Sequence, residues 1–177
     1  WDTPLRAVLH GITADQLSSS LTNRWDESHS LSARFAYLPF TDGNQRYAAG
    51  VTYTQKLVNL PHLDLTGTAE FDTSHNDRPQ APYFNPDRDL TVAGGLLAEQ
   101  TIWRRYDDSL VQALLVNAGL YAQAHFPSKP IATVSYEHRW RFDPWFELAY
   151  GVELSRRVYD GSVENTVTLV FRLARRF

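Results

Sequence analysis

Apolar and polar residues alternate with a period of two along most of this chain. The clearest stretch is the last, residues 163–177. Val167, Leu169, Phe171 and Leu173 share one face of an extended strand, and Thr166, Thr168, Arg172 and Arg176 share the other. Taken alone, this stretch fits a soluble antiparallel strand as well as the closing strand of a transmembrane barrel ending on the aromatic Phe177. The recurrence of the pattern separates the two. It predicts strands within residues 15–26, 30–39, 44–58, 62–75, 88–105, 109–126, 131–142 and 145–158, with a weakly patterned one at 1–10.

The result is about ten strands and no convincing helix. Several are longer than the roughly five or six residues usual in a sandwich. A strand that crosses a bilayer needs about 9–11 residues in lipid, plus extensions. The predicted fold class is therefore all-β, an antiparallel transmembrane β-barrel. Turns fall where the residues tolerate positive φ, as at Asp42-Gly43-Asn44 and Asp160-Gly161. With the C-terminal end placed in the periplasm, the turns near residues 159, 127–130, 76–87 and 41–44 face outward. The one long connection, 76–87, then lands on the outer side, where barrels carry their long loops.

Composition fits a barrel. The 177 residues are 43% hydrophobic, and no run approaches the roughly 18 apolar residues of a membrane helix. Nine Tyr and five Trp suit aromatic girdles at two interfaces. Trp103, Trp140, Trp145 and Phe177 fall near periplasmic strand ends; Trp103 has the inward parity, so a bulge or a strand-end exception is needed there. A net charge of -3 argues against a general nucleic-acid binder. The absence of Cys excludes disulfides and thiolate metal sites. With no Met and Trp1 first, the sequence is expected to be a processed product or a fragment.

On strand parity, Asp64, Glu70, Asp72, Glu99, Glu137, Glu147 and Glu153 face the lumen, together with Arg34, Arg139, Arg141 and Arg157. Tyr121 shares that side, and its ring suits the apolar face of a pyranose. The plainer reading is that these charges pair across strands and fill a polar interior. Tyr83 and Phe84, between prolines in the long connection, either fold inward over the pore or form an exposed tip. The six His show no ligand-like spacing. His75 with Asp72 or Asp77, and His125 with Ser128, are the candidates for a small outer-membrane barrel enzyme, a protease or lipid hydrolase with its site at the outer rim.

Four segments carry a resemblance: APYFNPDR at 81–88, WRRYD at 103–107, YEHRW at 136–140 and SRRVYDG at 155–161, with Glu164 close behind. In this order, with the terminal aromatic, the set resembles the C-terminal part of the poly-β-1,6-N-acetyl-D-glucosamine export porin family. The resemblance implies a barrel of about sixteen strands in the bacterial outer membrane. It implies no enzyme activity, catalytic residue, metal or cofactor. The partners implied are the exported biofilm polysaccharide, outer-membrane lipid, a periplasmic deacetylase and an inner-membrane synthase. The deacetylated polymer carries ammonium groups, so the resemblance assigns Glu70, Asp72, Glu99, Tyr121, Glu137, Glu147 and Glu153 to an acidic, polysaccharide-binding lumen. The family's periplasmic helical repeats are absent from residues 1–177, which are expected to be the C-terminal portion of a larger barrel.

Overall fold

The computed structural model describes residues 7, 9–78, 81–143 and 145–175. Among them run nine strands: β1 (Leu17–Arg24), β2 (His29–Pro39), β3 (Gln45–Leu60), β4 (Leu63–Asn76), β5 (Arg88–Arg105), β6 (Asp108–Gln123), β7 (Lys129–Phe142), β8 (Phe146–Tyr159) and β9 (Ser162–Arg175). Each pairs antiparallel with the next in chain order, in one sheet. Among the described residues β1 and β9 do not pair with each other, so the sheet is an open wall.

Nine of the expected ten strands lie among the described residues. The weak strand expected over 1–10 falls mostly on residues 1–6 and 8, which lie outside the described residues; of the rest, Ala7 and Leu9 have helical backbone and His10–Gly11 turn. Within it Ala7 packs inward, while Leu9 is exposed. Ala7 is fully buried with Ala36, Leu38, Phe40, Ala48 and Tyr83, and Ile12, Ala14 and Ala81 lie against them. Phe177 and Pro144 lie outside the described residues.

Strands β3 to β9 run 14 to 18 residues, long enough for a tilted crossing. The connections at one end are all short, and the longest lies at the other. Two or a few residues link β3–β4, β5–β6 and β7–β8 at one end, while residues 77–87 link β4 to β5 at the other. We call the latter the outer end. Asp160 (φ 47°) and Gly161 (φ 70°) form the two-residue outer turn between β8 and β9, both in the left-handed region such a hairpin needs.

Burial is inverted relative to a water-soluble protein. Large apolar side chains are bare: Leu120 is 58% exposed and Leu154 50%, although both sit on interior strands. Apart from Val158 and the small cluster of Leu38, Phe40 and Tyr83, the buried residues described are small or polar, including Ala93, Ala113, Ala149, Asn44 and Asn76. Water would strongly disfavour such an exterior, whereas acyl chains match it.

Two register shifts trim the faces. One falls between Lys56 and Val58 of β3, the other between Thr101 and Trp103 of β5. The second accounts for the parity of Trp103 by a bulge rather than by a strand-end exception. It turns the indole outward, opposite Leu110, in a row that continues through Trp140 and Leu148. Trp140 stacks on Phe142 with ring centroids 5.6 Å apart. This is the aromatic row of the inner interface.

Candidate functional site: the inner face of the sheet

The inner face is a transverse ladder of charges separated by small residues. On β3, Gly50 stands opposite Arg34 of β2 and Asp72 of β4. A Cβ at Gly50 would overlap Asp72 Oδ1 and lie 2.8 Å from Arg34 Nε. Glycine therefore lets Arg34 Nη2 reach Asp72 Oδ1 at 2.5 Å across the intervening strand. Ala113 of β6 does the same between β5 and β7, where Arg139 bonds Glu99 Oε1 and Glu137 Oε1, each at 2.5 Å. Across β8, where Ala149 and Gly151 are the small residues, Arg172 Nη2 lies 3.8 Å from Glu137 Oε2. Arg141–Glu147 at 3.4 Å and Lys56–Asp64 at 3.3 Å complete the periplasmic part.

Besides a cavity at the periplasmic rim against Arg104, Arg141 and Glu147, two cavities open onto this face. The one toward the periplasmic end has a volume of about 310 Å³; Asp64, Glu99, Arg139, Arg141, Glu147 and Arg172 supply its charges. The one toward the outer end, of about 410 Å³, holds Glu70, Asp72, Asp89, Asn117 and Tyr121 beside Arg46, Arg156 and Arg157, with Phe84 as part of its wall. The seven residues assigned from sequence thus fall into groups. Glu70, Asp72 and Tyr121 share the outer cavity, and Glu99 and Glu147 the inner one. Glu137 joins the inner set through Arg139, and Glu153 lies between them on β8, opposite Ser135 and Thr168. Most of these carboxylates are matched by arginine, the pairing that sequence offered as the plainer reading. Glu70 and Glu153 form no ion pair among the described residues.

Asp89 was missed, although its odd parity on β5 matches Thr91 and Glu99. It accepts the Ser74 N–H at 2.7 Å and the Tyr121 hydroxyl at 3.3 Å, so it fixes how Tyr121 stands in the cavity.

The long connection folds inward. Tyr83 is buried, stacks on Phe40 at 5.3 Å, donates to Asp42 Oδ2 at 3.2 Å and accepts from Asn44 Nδ2 at 3.1 Å. Burial pushes the Tyr83 phenol above its ordinary pKa, and the Asp42 carboxylate adds to the rise while the Asn44 bond opposes it. Asn44 also donates to Asn85 Oδ1 at 3.0 Å and accepts the Arg78 backbone N–H at 3.0 Å. Asn76 donates to the Pro86 carbonyl at 2.6 Å. Buried amides thereby satisfy the loop's backbone in place of water. Phe84 meets Tyr159 edge-on at 5.2 Å beside the outer cavity.

His75 stands between Asp77, 3.3 Å away, and the backbone carbonyl of Asp87, 2.8 Å away, while Asp72 is taken by Arg34. His125 lies 4.0 Å from Asp87 Oδ2 and makes no hydrogen bond to Ser128 among the described residues. No hydroxyl nucleophile is bonded to either imidazole there.

An apolar exterior, a charged inner face and an inward-folded outer loop define a transmembrane β-barrel wall lining a polar passage. The chain belongs to the PgaA membrane beta barrel domain family, which it matches over residues 1–177. It is 22% identical over 174 residues to the poly-beta-1,6-N-acetyl-D-glucosamine export protein of Escherichia coli (strain K12), and equally to that of Escherichia coli O157:H7. These matches cover 98% of this chain and 22% of each relative. A solved bacterial polysaccharide outer membrane secretin superposes with a TM-score of 0.92 at 22% identity, covering 98% of this chain and 60% of that one. Fold and family place the chain in the bacterial outer membrane.

Proposed function

We propose that this chain is the C-terminal portion of a larger outer-membrane barrel that exports a poly-β-1,6-N-acetyl-D-glucosamine biofilm polysaccharide along an acidic track on its inner face. The observation that carries this reading is the run of inward carboxylates, Glu70, Asp72, Glu99, Glu137, Glu147 and Glu153, spread between the two cavities. The unpaired edges β1 and β9 support the larger barrel, because strand edges in lipid must find partners.

The ladder suits passage better than storage. Half-exposed ion pairs are worth about 0–1 kcal/mol each. An ammonium on a deacetylated sugar therefore displaces an arginine from its carboxylate at little cost, and leaves as easily. Weak, repeated sites of this kind conduct, whereas one deep site traps. Glu70 and Glu153 need no displacement and act as first contacts, and the Tyr121 ring offers a face to the pyranose. In this scheme a periplasmic deacetylase creates the ammonium groups and an inner-membrane synthase supplies the chain.

Replacing Glu99, Glu137, Glu147 and Glu153 together with Gln in the larger barrel is expected to cut polymer export about tenfold, the sum of several weak contacts. Assembly should be retained, as read by the heat-dependent mobility of the folded barrel. Export measured by polymer immunoblot and unchanged in the assembled variant would sink the acidic track.

A further inference from the structure

Gln100, Gln112, His138 and Tyr150 form one outward-facing row across β5, β6, β7 and β8. Tyr136 joins from the adjacent row. The row lies immediately inside the Trp103–Leu110–Trp140–Leu148 row, toward the bilayer centre. All five polar groups thus point at lipid at the depth where head groups give way to acyl chains. Polar side chains facing lipid are costly and rare. Here they are linked: Gln112 to Gln100 at 2.7 Å, Tyr136 to Gln112 at 2.8 Å, Tyr136 to His138 at 2.9 Å and His138 to Tyr150 at 3.2 Å. The imidazole also meets both tyrosine rings edge-on, at 5.0 and 5.3 Å.

The donors outnumber what the network uses. Each Gln amide carries two N–H groups, each Tyr one O–H and a neutral His one N–H. The four bonds consume four of these seven donors. Three remain however the amides are flipped or the imidazole tautomer is assigned, because either direction of the chain uses one donor per bond. At least one spare N–H stays on Gln100 and one on Gln112. Acyl chains offer no acceptor. The glycerol esters and phosphate of a phospholipid offer acceptors only. Two positions beyond Trp103, on the same face, Arg105 brings a cation to head-group level, its guanidinium 5.8 Å from the Tyr106 ring. The network lies on interior strands of the sheet, away from the β1 and β9 edges.

We propose that this row is a phospholipid site. Gln100 and Gln112 donate to the glycerol ester carbonyls of a diacyl phospholipid in the periplasmic leaflet, and Arg105 attracts its phosphate. The His138–Tyr136–Tyr150 part holds the Gln112 amide in orientation. The neighbouring Leu96, Ile102 and Leu114, each bare on the same side, receive the acyl chains.

The test titrates the larger barrel, in detergent, with dioleoyl phosphatidylethanolamine or its diether analogue, followed by native mass spectrometry. The diether lacks the ester carbonyls and keeps the head group. The diester is expected to bind about tenfold more tightly, the effect of one or two hydrogen bonds. In Gln100→Leu/Gln112→Leu that preference should vanish, and in Arg105→Gln both lipids should weaken alike. Equal binding of diester and diether to the unmodified barrel overturns the proposal, whether or not the variants assemble. So does a preference that survives in the double variant.

Discussion

Gly119→Val is expected to abolish barrel assembly. Gly119 faces Ala93 across the β5–β6 ladder. A Cβ there would overlap the Val92 carbonyl oxygen and lie 2.7 Å from both Ala93 Cα and Ala93 Cβ. Two of these atoms are backbone, so no side-chain rotation relieves the clash and the strands must separate. Gly151→Val meets the same obstacle on β8, overlapping the Tyr136 carbonyl and approaching Glu137 Cα at 2.9 Å. Overpacking of this kind costs about 1–3 kcal/mol in a soluble core. Here the broken ladder also exposes unpaired N–H and C=O groups to lipid. Gly94→Ala is the control, since its added Cβ meets only the Thr68 carbonyl, at an ordinary 3.6 Å. Heat-dependent mobility of the larger barrel should disappear in Gly119→Val and Gly151→Val and persist in Gly94→Ala. A normal shift in Gly119→Val would mean that β5 and β6 do not approach as described.

Arg139→Leu is expected to make the pore markedly more cation-selective. The guanidinium is the link between β5 and β7, bonding Glu99 and Glu137 at once. Its loss frees the Glu99 carboxylate and leaves Glu137 with only the 3.8 Å contact to Arg172. Two charges change their local balance in a narrow passage, where fields are focused and rings of acid select cations. Arg139→Lys should lie between, because an ammonium lacks the fork that bonds two carboxylates in fixed geometry. The reversal potential of the larger barrel in a salt gradient should move toward the cation limit in the order Arg139, Lys, Leu. No movement in Arg139→Leu would show that the ladder does not line the conducting path.

Much of this was legible from the period of two alone. Parity placed the acids on one face of the sheet and the bare apolar side chains on the other, and the wrong parity of Trp103 marked an irregularity that the bulge at Thr101–Trp103 supplies. What parity cannot supply is register. Arg139 and Glu99 lie on strands that are not adjacent in the sheet, and only the stagger of β5, β6 and β7 brings them together over Ala113. Residues 77–87 have no period, so the sequence leaves both an inward Tyr83 and an exposed tip open; Asn44 and Asp42, distant in sequence, hold its hydroxyl. His138 carried the outward parity in sequence, but its polar row emerges only when Gln100 and Gln112 come into register with it.

The measurement that tests the central claim most directly is single-channel current through the larger barrel, with a partially deacetylated β-1,6-glucosamine oligosaccharide added on the periplasmic side. If the inner face is a weak carboxylate track, the oligosaccharide interrupts the current in brief, voltage-dependent events. Those events shorten when Glu99, Glu137, Glu147 and Glu153 are changed to Gln. A current indifferent to the oligosaccharide, or interruptions of equal length in that variant, would contradict it.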